Sequence, residues 1–549
     1  MISGLMNDDF PLTVQYILRR ARTMNGHRTV SAATADRGVQ HRTYAEVGNR
    51  VDSLCCALRS LGVEVGDRVA TLAWNTFEHL EAYLGVPAMG AVLHTVNVRL
   101  HEDQIVYVIN AGGAQVLLVD SSMCELVERI APRLETVRHI VMIGEPENSA
   151  SMSLPVTMQV AHYEELIGRH DGGFEYPVLD DHMASGLCFT SGTTSNPKGV
   201  LYSHRSTVMH AIGLALADSL AVSSRDRVLA IVPMFHANGW GLAHAAAMVG
   251  ADLVLPGRWL QPDRIATLLE EQRITLSGAV PTVWSDLLHY VEGKDIDLSA
   301  LHTVSCGGSA VPRSLLEGFD RLGVTMLHAW GMTEVSPLGA VARPPADTQG
   351  ENLWQARTSQ GRLLPLLEAR LAGDDDEEVP HDGHSRGELL IRGPWVATSY
   401  YGTDPSPDSF IDDWLRTGDI ATITSDGYIR LVDRVKDLIK SGGEWISSVD
   451  LENCLVDHPD VLEACVVARP DPKWGERPLA FVVSNPESTA PTIEVLTEHL
   501  RSRVPRWWLP EDFVFVDELP RTSVGKLDKK KLRAGAITST DRQSATHAE

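Results

Sequence analysis

Short apolar runs of strand length recur through the first part of the chain, and between them the apolar residues switch to steps of three and four. Val69-Ala70-Thr71-Leu72-Ala73, Val116-Leu117-Leu118-Val119-Asp120 and His139-Ile140-Val141-Met142-Ile143 read as buried strands. Val47, Val51, Leu54, Leu58 and Leu61 share one face of an amphipathic helix over residues 44–62, stopped at Gly62. A further apolar-striped segment runs through Leu84. Such alternation predicts a parallel α/β sheet with helices on both faces. Ligands of these sheets bind beyond the carboxyl ends of the strands. The chemistry is therefore to be sought where strands end.

One such end stands out. Gly186-Leu187-Cys188-Phe189 reads as a strand, and it leads into Thr190-Ser191-Gly192-Thr193-Thr194-Ser195-Asn196-Pro197-Lys198-Gly199. Hydroxyls of Thr190, Ser191, Thr193 and Thr194, two glycines and Lys198 fall close together. A loop of this kind can turn backbone N–H groups inward around a polyphosphate. It is not a Walker A loop, which needs Gly-Lys-Ser/Thr at a fixed spacing. A plain Ser/Thr/Gly surface turn has the same composition, so the rest of the chain must decide.

With 549 residues the chain exceeds one core and should divide into subdomains. Its 44% hydrophobic and 22% charged residues are those of an ordinary globular protein. A net charge of −24 opposes nucleic acid and anionic membrane as partners while leaving room for a local basic groove. No run is apolar enough to span a membrane, and Asp8 and Asp9 argue against a secretory signal. Seven cysteines, odd in number and without a Cys-x-x-Cys pair, predict free thiols in a reducing cytoplasm.

Further strand ends carry candidate chemistry. Arg227 to Met234 reads as a strand running into Phe235-His236-Ala237-Asn238-Gly239-Trp240-Gly241, a stretch equally compatible with core packing. Thr303 to Ala310 reads as a strand broken at Gly307-Gly308-Ser309, with Pro312 suited to the first helical turn after it. His328-Ala329-Trp330-Gly331-Met332-Thr333-Glu334 closes another strand. The acid run Asp374 to Glu378 fits a solvated hairpin tip between strands at 367–372 and 387–392 better than a metal cluster. Asp419 could hold a ribose diol through its two oxygens. A small α+β unit should come next, with a helix over 450–456 and strands over 464–468 and 479–483. Near its end stands Arg521-Thr522-Ser523-Val524-Gly525-Lys526, otherwise readable as a solvated turn. Residues beyond about 536 lack pattern.

These motifs, in this order, resemble the adenylate-forming superfamily of acyl- and aryl-CoA synthetases, peptide-synthetase adenylation domains and firefly luciferase. The likeness extends from about residue 40 to about residue 533. It implies a large N-terminal adenylating domain over 1–433, made of parallel-sheet α/β subdomains plus a β-rich subdomain. A small mobile α+β domain over 434–549 completes the chain. By resemblance, Thr190, Ser191, Gly192, Thr193, Thr194 and Lys198 hold ATP phosphates. Gly307, Gly308, Ser309, His328, Ala329, Trp330, Gly331, Met332 and Thr333 surround the adenine and α-phosphate. The family usually has tyrosine where this chain has Trp330, so stacking on adenine is kept and a hydroxyl lost. Asp419 and Arg434 take the ribose, while Thr194 and Glu334 take magnesium. Lys436 is the hinge, Lys440, Ser441, Gly442 and Gly443 border the CoA channel, and Lys526 is the catalytic lysine. Thr193, Glu334 and His236 join it in catalysis.

Val232-Pro233-Met234-Phe235-His236 and Val254-Leu255-Pro256-Gly257 look like the medium- and long-chain fatty acyl-CoA synthetases, in which Trp240 would gate an acyl tunnel bordered by His236, Gly308 and Met332. The implied reaction joins a carboxylic acid to coenzyme A through an acyl-adenylate, consuming ATP with Mg2+. A short thioether acid such as 3-methylmercaptopropionate, an aryl acid, or transfer to a carrier protein are the alternatives. A nucleotide sensor without turnover would have little use for Lys526. Homodimerisation is expected from the subgroup alone.

Overall fold

The computed structural model describes residues 6–144, 154–190, 196–521 and 527–534, except positions 8, 374, 443, 487 and 489. The expected strands over 116–120 and 139–143 form with those bounds, and the first expected strand runs Arg68–Leu72. They belong to a seven-stranded sheet, parallel throughout except at one edge, where Ala184–Phe189 pairs antiparallel with Gly199–Ser203. The helix Tyr44–Ser60 begins in a capping box between Thr43 and Glu46. It ends before Gly62, whose φ of +86° suits a residue without Cβ. The next striped segment is the helix Phe77–Ala88, nearly all of it buried. Both helices bury their apolar faces in the main core.

A second sheet holds the remaining candidate strand ends. Thr29–Ala33, Asp252–Leu255, Arg227–Leu229, Leu276–Ala279, Thr303–Gly307 and Thr325–Gly331 lie parallel in that order. The sheet then turns antiparallel, through Leu338–Val341 and Gly361–Leu363 to Tyr428–Arg434, Trp414–Ile423, Gly387–Arg392 and Glu368–Ala372. The residues of the Trp330–Glu334 motif occupy the change of direction. A third, five-stranded sheet is built wholly after residue 438 and has its own apolar core around Leu451, Val466, Val482 and Leu496. The fold class is therefore the expected one.

Three local expectations need adjustment. The strand expected over 227–234 stops at Leu229. Asn75 captures the backbone beyond it: its Nδ2 donates to the Ala230 and Val232 carbonyls, and its Oδ1 accepts from the Met234 N–H. Pro312 is the residue before the helix Arg313–Arg321, not in its first turn. Glu368–Ala372 and Gly387–Arg392 pair as expected, but a further strand, Glu378–Val379, pairs with the other side of Glu368–Ala372 and takes Glu378 out of the expected tip; Asp376 pairs with Arg416, and Asp374 lies outside the described residues. All seven cysteines are free thiols. Among the described residues no helix is long and apolar enough to cross a membrane.

Candidate active site

A cleft of about 1720 Å³ opens where the two large sheets and the third sheet's unit meet. Thr190, Lys198, His236, Trp240, Gly307, Gly308, Ser309, His328 to Glu334, Asp419, Arg434 and Lys436 all line it. Residues some 240 positions apart in sequence are thereby gathered at strand ends. Ser191, Gly192, Thr193 and Thr194, expected to hold phosphates, lie outside the described residues together with Gly443 and Lys526. Their neighbours are placed. Thr190 N–H donates to the Lys198 carbonyl at 2.8 Å, and Lys198 N–H donates to Thr190 Oγ1 at 3.1 Å, pinching the loop shut at its base. Arg521 and Leu527, which flank the Lys526 turn, bridge one another and line the cleft.

The part of the cleft around Asp419 is tied down by its own side chains. Asp419 and Arg434 are cross-strand partners, and Arg434 Nε stands 2.8 Å from Asp419 Oδ1. The other oxygen, Oδ2, accepts from Trp330 Nε1 at 3.1 Å. Each oxygen has a second lone pair to offer. Trp330 is thus more than an aromatic surface. Its ring also packs so closely on Gly339 that a Cβ there would lie 2.7 Å from Trp330 Cζ3, which only glycine permits. His328 is buried, and burial lowers its pKa to about 4. It bonds the Thr358 carbonyl through Nδ1 at 3.1 Å, so the neutral ring carries its proton there.

Glu334 is only 7% exposed. Its Oε1 accepts from the Tyr400 hydroxyl at 2.8 Å, and its carbonyl accepts from Ala397 N–H. The Tyr400 ring lies 4.4 Å beneath Lys198 Nζ, so one tyrosine ties the phosphate-loop lysine to this carboxylate. Tyr202 donates to the Thr333 carbonyl at 2.7 Å and holds the preceding residue. A carboxylate with one oxygen hydrogen-bonded and lone pairs remaining suits a hard divalent cation, so the residue fits magnesium.

Trp240 sits in an unusual stretch. Ala237, Asn238, Gly239, Trp240 and Gly241 all have positive φ, from 42° to 73°. Left-handed backbone costs about 1–2 kcal/mol per non-glycine residue, so packing must hold it. The holding groups are Asn75, Tyr83, which donates to the Met234 carbonyl, and the Trp74–Phe235 ring pair. The indole lies across Gly278 and Gly307, with Cβ positions there 3.4 and 3.5 Å from ring atoms. It is part of the wall of the cleft.

Three expected CoA residues stand elsewhere. Ser441 is buried and accepts from Arg477, Lys440 is exposed, and Gly442 lies against the Trp474 ring; none of the three lines the cleft. Lys436 lines it, its pKa lowered by burial. Tyr400, Tyr202 and Asn75 were not legible as site residues. Each acts by reaching a partner remote in sequence, and none belongs to a local pattern.

Comparison with known proteins agrees with this geometry. The model of the AMP-binding enzyme family matches residues 19–401, and that of the AMP-binding enzyme C-terminal domain matches residues 450–526. A long-chain-fatty-acid–CoA ligase of Thermus thermophilus is 44% identical over 537 residues, covering 97% of this chain and 96% of its own. A medium-chain-fatty-acid–CoA ligase of Ectopseudomonas oleovorans is 41% identical, covering 97% of each. A 3-methylmercaptopropionyl-CoA ligase of Ruegeria pomeroyi is also 41% identical, covering 95% of this chain and 97% of its own. Among solved structures, the anthranilate CoA ligase AuaEII in complex with anthranoyl-AMP superposes with a TM-score of 0.86 at 27% identity, over 98% of this chain and 100% of that one. Matched along nearly its whole length, and with both family models in order, the chain belongs to the AMP-binding enzyme family.

Proposed function

We propose that this AMP-forming acyl-CoA ligase activates medium- or long-chain fatty acids. The substrate carboxylate attacks the α-phosphorus of ATP; the bond to the β-phosphate oxygen breaks and pyrophosphate leaves. The thiolate of CoA then attacks the acyl carbonyl of the adenylate, and AMP departs with the electron pair of the broken C–O bond. The first step brings two anions together, which at 4 Å costs roughly 4 kcal/mol at an effective dielectric of 20. Lys198 and Lys526 offset that repulsion, and Asp419 and Arg434 hold the ribose so that the α-phosphorus faces the acid. Magnesium on Glu334 and Thr194 supplies further charge neutralisation at the phosphates when bound. His236, Gly308 and Met332 border the acyl group. The small domain from residue 434 turns about Lys436, presenting Lys526 for adenylation and the Lys440–Gly443 stretch for thioester formation. Cytoplasmic location and a homodimer belong to the same reading.

The observation that carries the substrate class is Trp240, laid on two glycine backbones in the wall of the cleft. An indole held against bare backbone can be displaced without rebuilding a strand. The gating reading predicts that Trp240→Ala broadens acceptance toward bulkier acids. The 3-methylmercaptopropionyl relative, at 41% identity, favours a second reading in which Trp240 is a fixed floor for a short thioether acid. A screen of straight-chain acids from two to eighteen carbons, with 3-methylmercaptopropionate and aryl acids, separates them by AMP release with and without CoA. Highest kcat/KM on the thioether acid would overturn the fatty-acid reading. An unchanged chain-length profile in Trp240→Ala would remove the gate.

A further inference from the structure

A buried hydrogen-bond chain crosses the joint beside Lys436. Val432 and Asp433 close the strand Tyr428–Arg434 of the large sheet, and Asp433 is 3% exposed. Asp433 Oδ2 accepts from the Ser448 N–H at 2.7 Å and from Ser448 Oγ at 2.6 Å. Ser447 Oγ donates to the Val432 carbonyl at 2.6 Å. Both serines begin the helix Ser448–Val456, whose Leu451 and Leu455 belong to the third sheet's core. The chain continues, because Ser448 Oγ accepts from Lys529 Nζ at 2.6 Å. Lys529 also pairs with Glu452 at 2.7 Å, and Glu452 accepts from Val466 N–H in that sheet. One helical turn further on, Arg533 donates to the Lys436 carbonyl at 2.7 Å and pairs with Asp437.

Two features make this more than local packing. Lys529 is the third residue after Lys526, so the segment that follows Lys526 is anchored by the same hydroxyl that holds the helix to Asp433. The three hydrogen bonds to Val432 and Asp433 join residues before Lys436 to residues after it. A rotation about Lys436 leaves the acceptors behind and carries the donors away. The Lys529–Glu452 and Arg533–Asp437 pairs lie entirely on the moving side and survive it.

We propose that Asp433, Ser447, Ser448 and Lys529 form an interdomain latch. It holds the small domain in the orientation that faces Arg521 and Leu527 into the cleft, and so favours adenylation over thioester formation. Asp433 and Ser448 are positioning residues in this account, since they touch neither ATP nor acid. The inference rests on the proposed turning of the small domain between two orientations. Buried acceptors lost on rotation bias the equilibrium by the affinity they give to one state alone.

The test separates the half-reactions in the full-length enzyme. Ser448→Ala removes the bridging hydroxyl but keeps the helix N–H. It should lower the kcat of acid-dependent ATP–pyrophosphate exchange roughly tenfold, with KM for ATP and acid within about twofold. Thioester formation from supplied acyl-adenylate and CoA should match wild type or exceed it. Ser448→Thr, which restores the hydroxyl, should recover exchange, and Asp433→Asn, which keeps an acceptor, should lose less than Asp433→Ala. Ser447→Ala gives an independent reading should a buried Asp433 variant fail to fold. Exchange at the wild-type rate in Ser448→Ala and Ser447→Ala overturns the latch, as does an equal fall in both half-reactions or a failure of Ser448→Thr to rescue. Lys526→Ala is the control for the underlying reading: if it slows both half-reactions alike, that reading falls and the latch with it. If Lys526→Ala separates them and the serine variants do not, only the latch falls.

Discussion

The two walls of the cleft are built on opposite principles. On the large-domain wall Asp419, Trp330, His328 and Glu334 are buried, and each is fixed by a partner within the same domain. The wall built from residues beyond Arg434 presents ion pairs instead: Arg521 with Glu463, Lys529 with Glu452, Arg533 with Asp437. These ion pairs all join residues beyond Arg434 to one another. One wall is thus fixed by hydrogen bonds among its own buried groups, whereas the other is fixed by ion pairs among residues beyond Arg434.

The walls should respond differently to acid, and this is the largest effect expected. Burial lowers the pKa of His79, His204, His244 and His328 to about 4 and of His94 and His210 to about 3, and all six lie in the large domain. Unfolded, each would bind a proton near pH 6.5, so below that value the unfolded state holds more protons and stability drops as the pH drops. The loss begins at about 6.5 and grows until the folded values are reached, at roughly 1.4 kcal/mol per histidine per pH unit. In the small domain the lowered histidine is the half-buried His499. Calorimetry from pH 7 to pH 5 should show the large-domain transition falling steeply and ahead of the small one. A large-domain melting temperature that holds steady across that interval would refute the contrast.

Lys526→Ala tests the proposed role of the second wall's chain segment next. Loss of one aimed cation should slow adenylation by about 10²–10³-fold, on the scale of a lost oxyanion donor. Thioester formation from supplied acyl-adenylate should be spared, and single-turnover rates of the two halves decide it.

The fixed wall is tested by Asp419→Ala, which removes the acceptor shared by Arg434 and Trp330. It should raise the KM for ATP by about 10- to 100-fold, as expected when a charged hydrogen-bond partner is lost and another buried group is left unpaired. A KM near wild type would mean that the ribose is held elsewhere.

Trp330→Phe is the finest probe. It keeps an aromatic face and removes only the indole N–H aimed at Asp419. A three- to tenfold rise in KM for ATP is expected, from a neutral-to-charged hydrogen bond worth about 1 kcal/mol. If Trp330→Phe binds ATP as wild type does, the indole acts on the nucleotide through its ring alone.

Much of this molecule was present in the one-dimensional pattern. Periodicity of three and four against short apolar runs fixed the helix ending before Gly62 and the strands at 116–120 and 139–143, because side-chain spacing alone determines which face can be buried. Motif order placed Thr190, Gly307 and the Trp330–Glu334 stretch at or just beyond strand ends, and strand ends of a parallel sheet converge on one edge. Local pattern failed where a remote side chain competed for the backbone. The strand expected to reach Met234 ends at Leu229 because Asn75, 155 to 159 positions before its partners, takes their hydrogen bonds. Tyr400 beside Glu334, the Trp330–Asp419 bond and the Asp433–Ser448–Lys529 chain were likewise invisible. Their meaning lies in partners 15 to 89 positions away, and distance in space over such separations is set by packing and not by sequence spacing. The sequence determined which groups stand at the ends of strands; only the tertiary structure decided which of them hold one another.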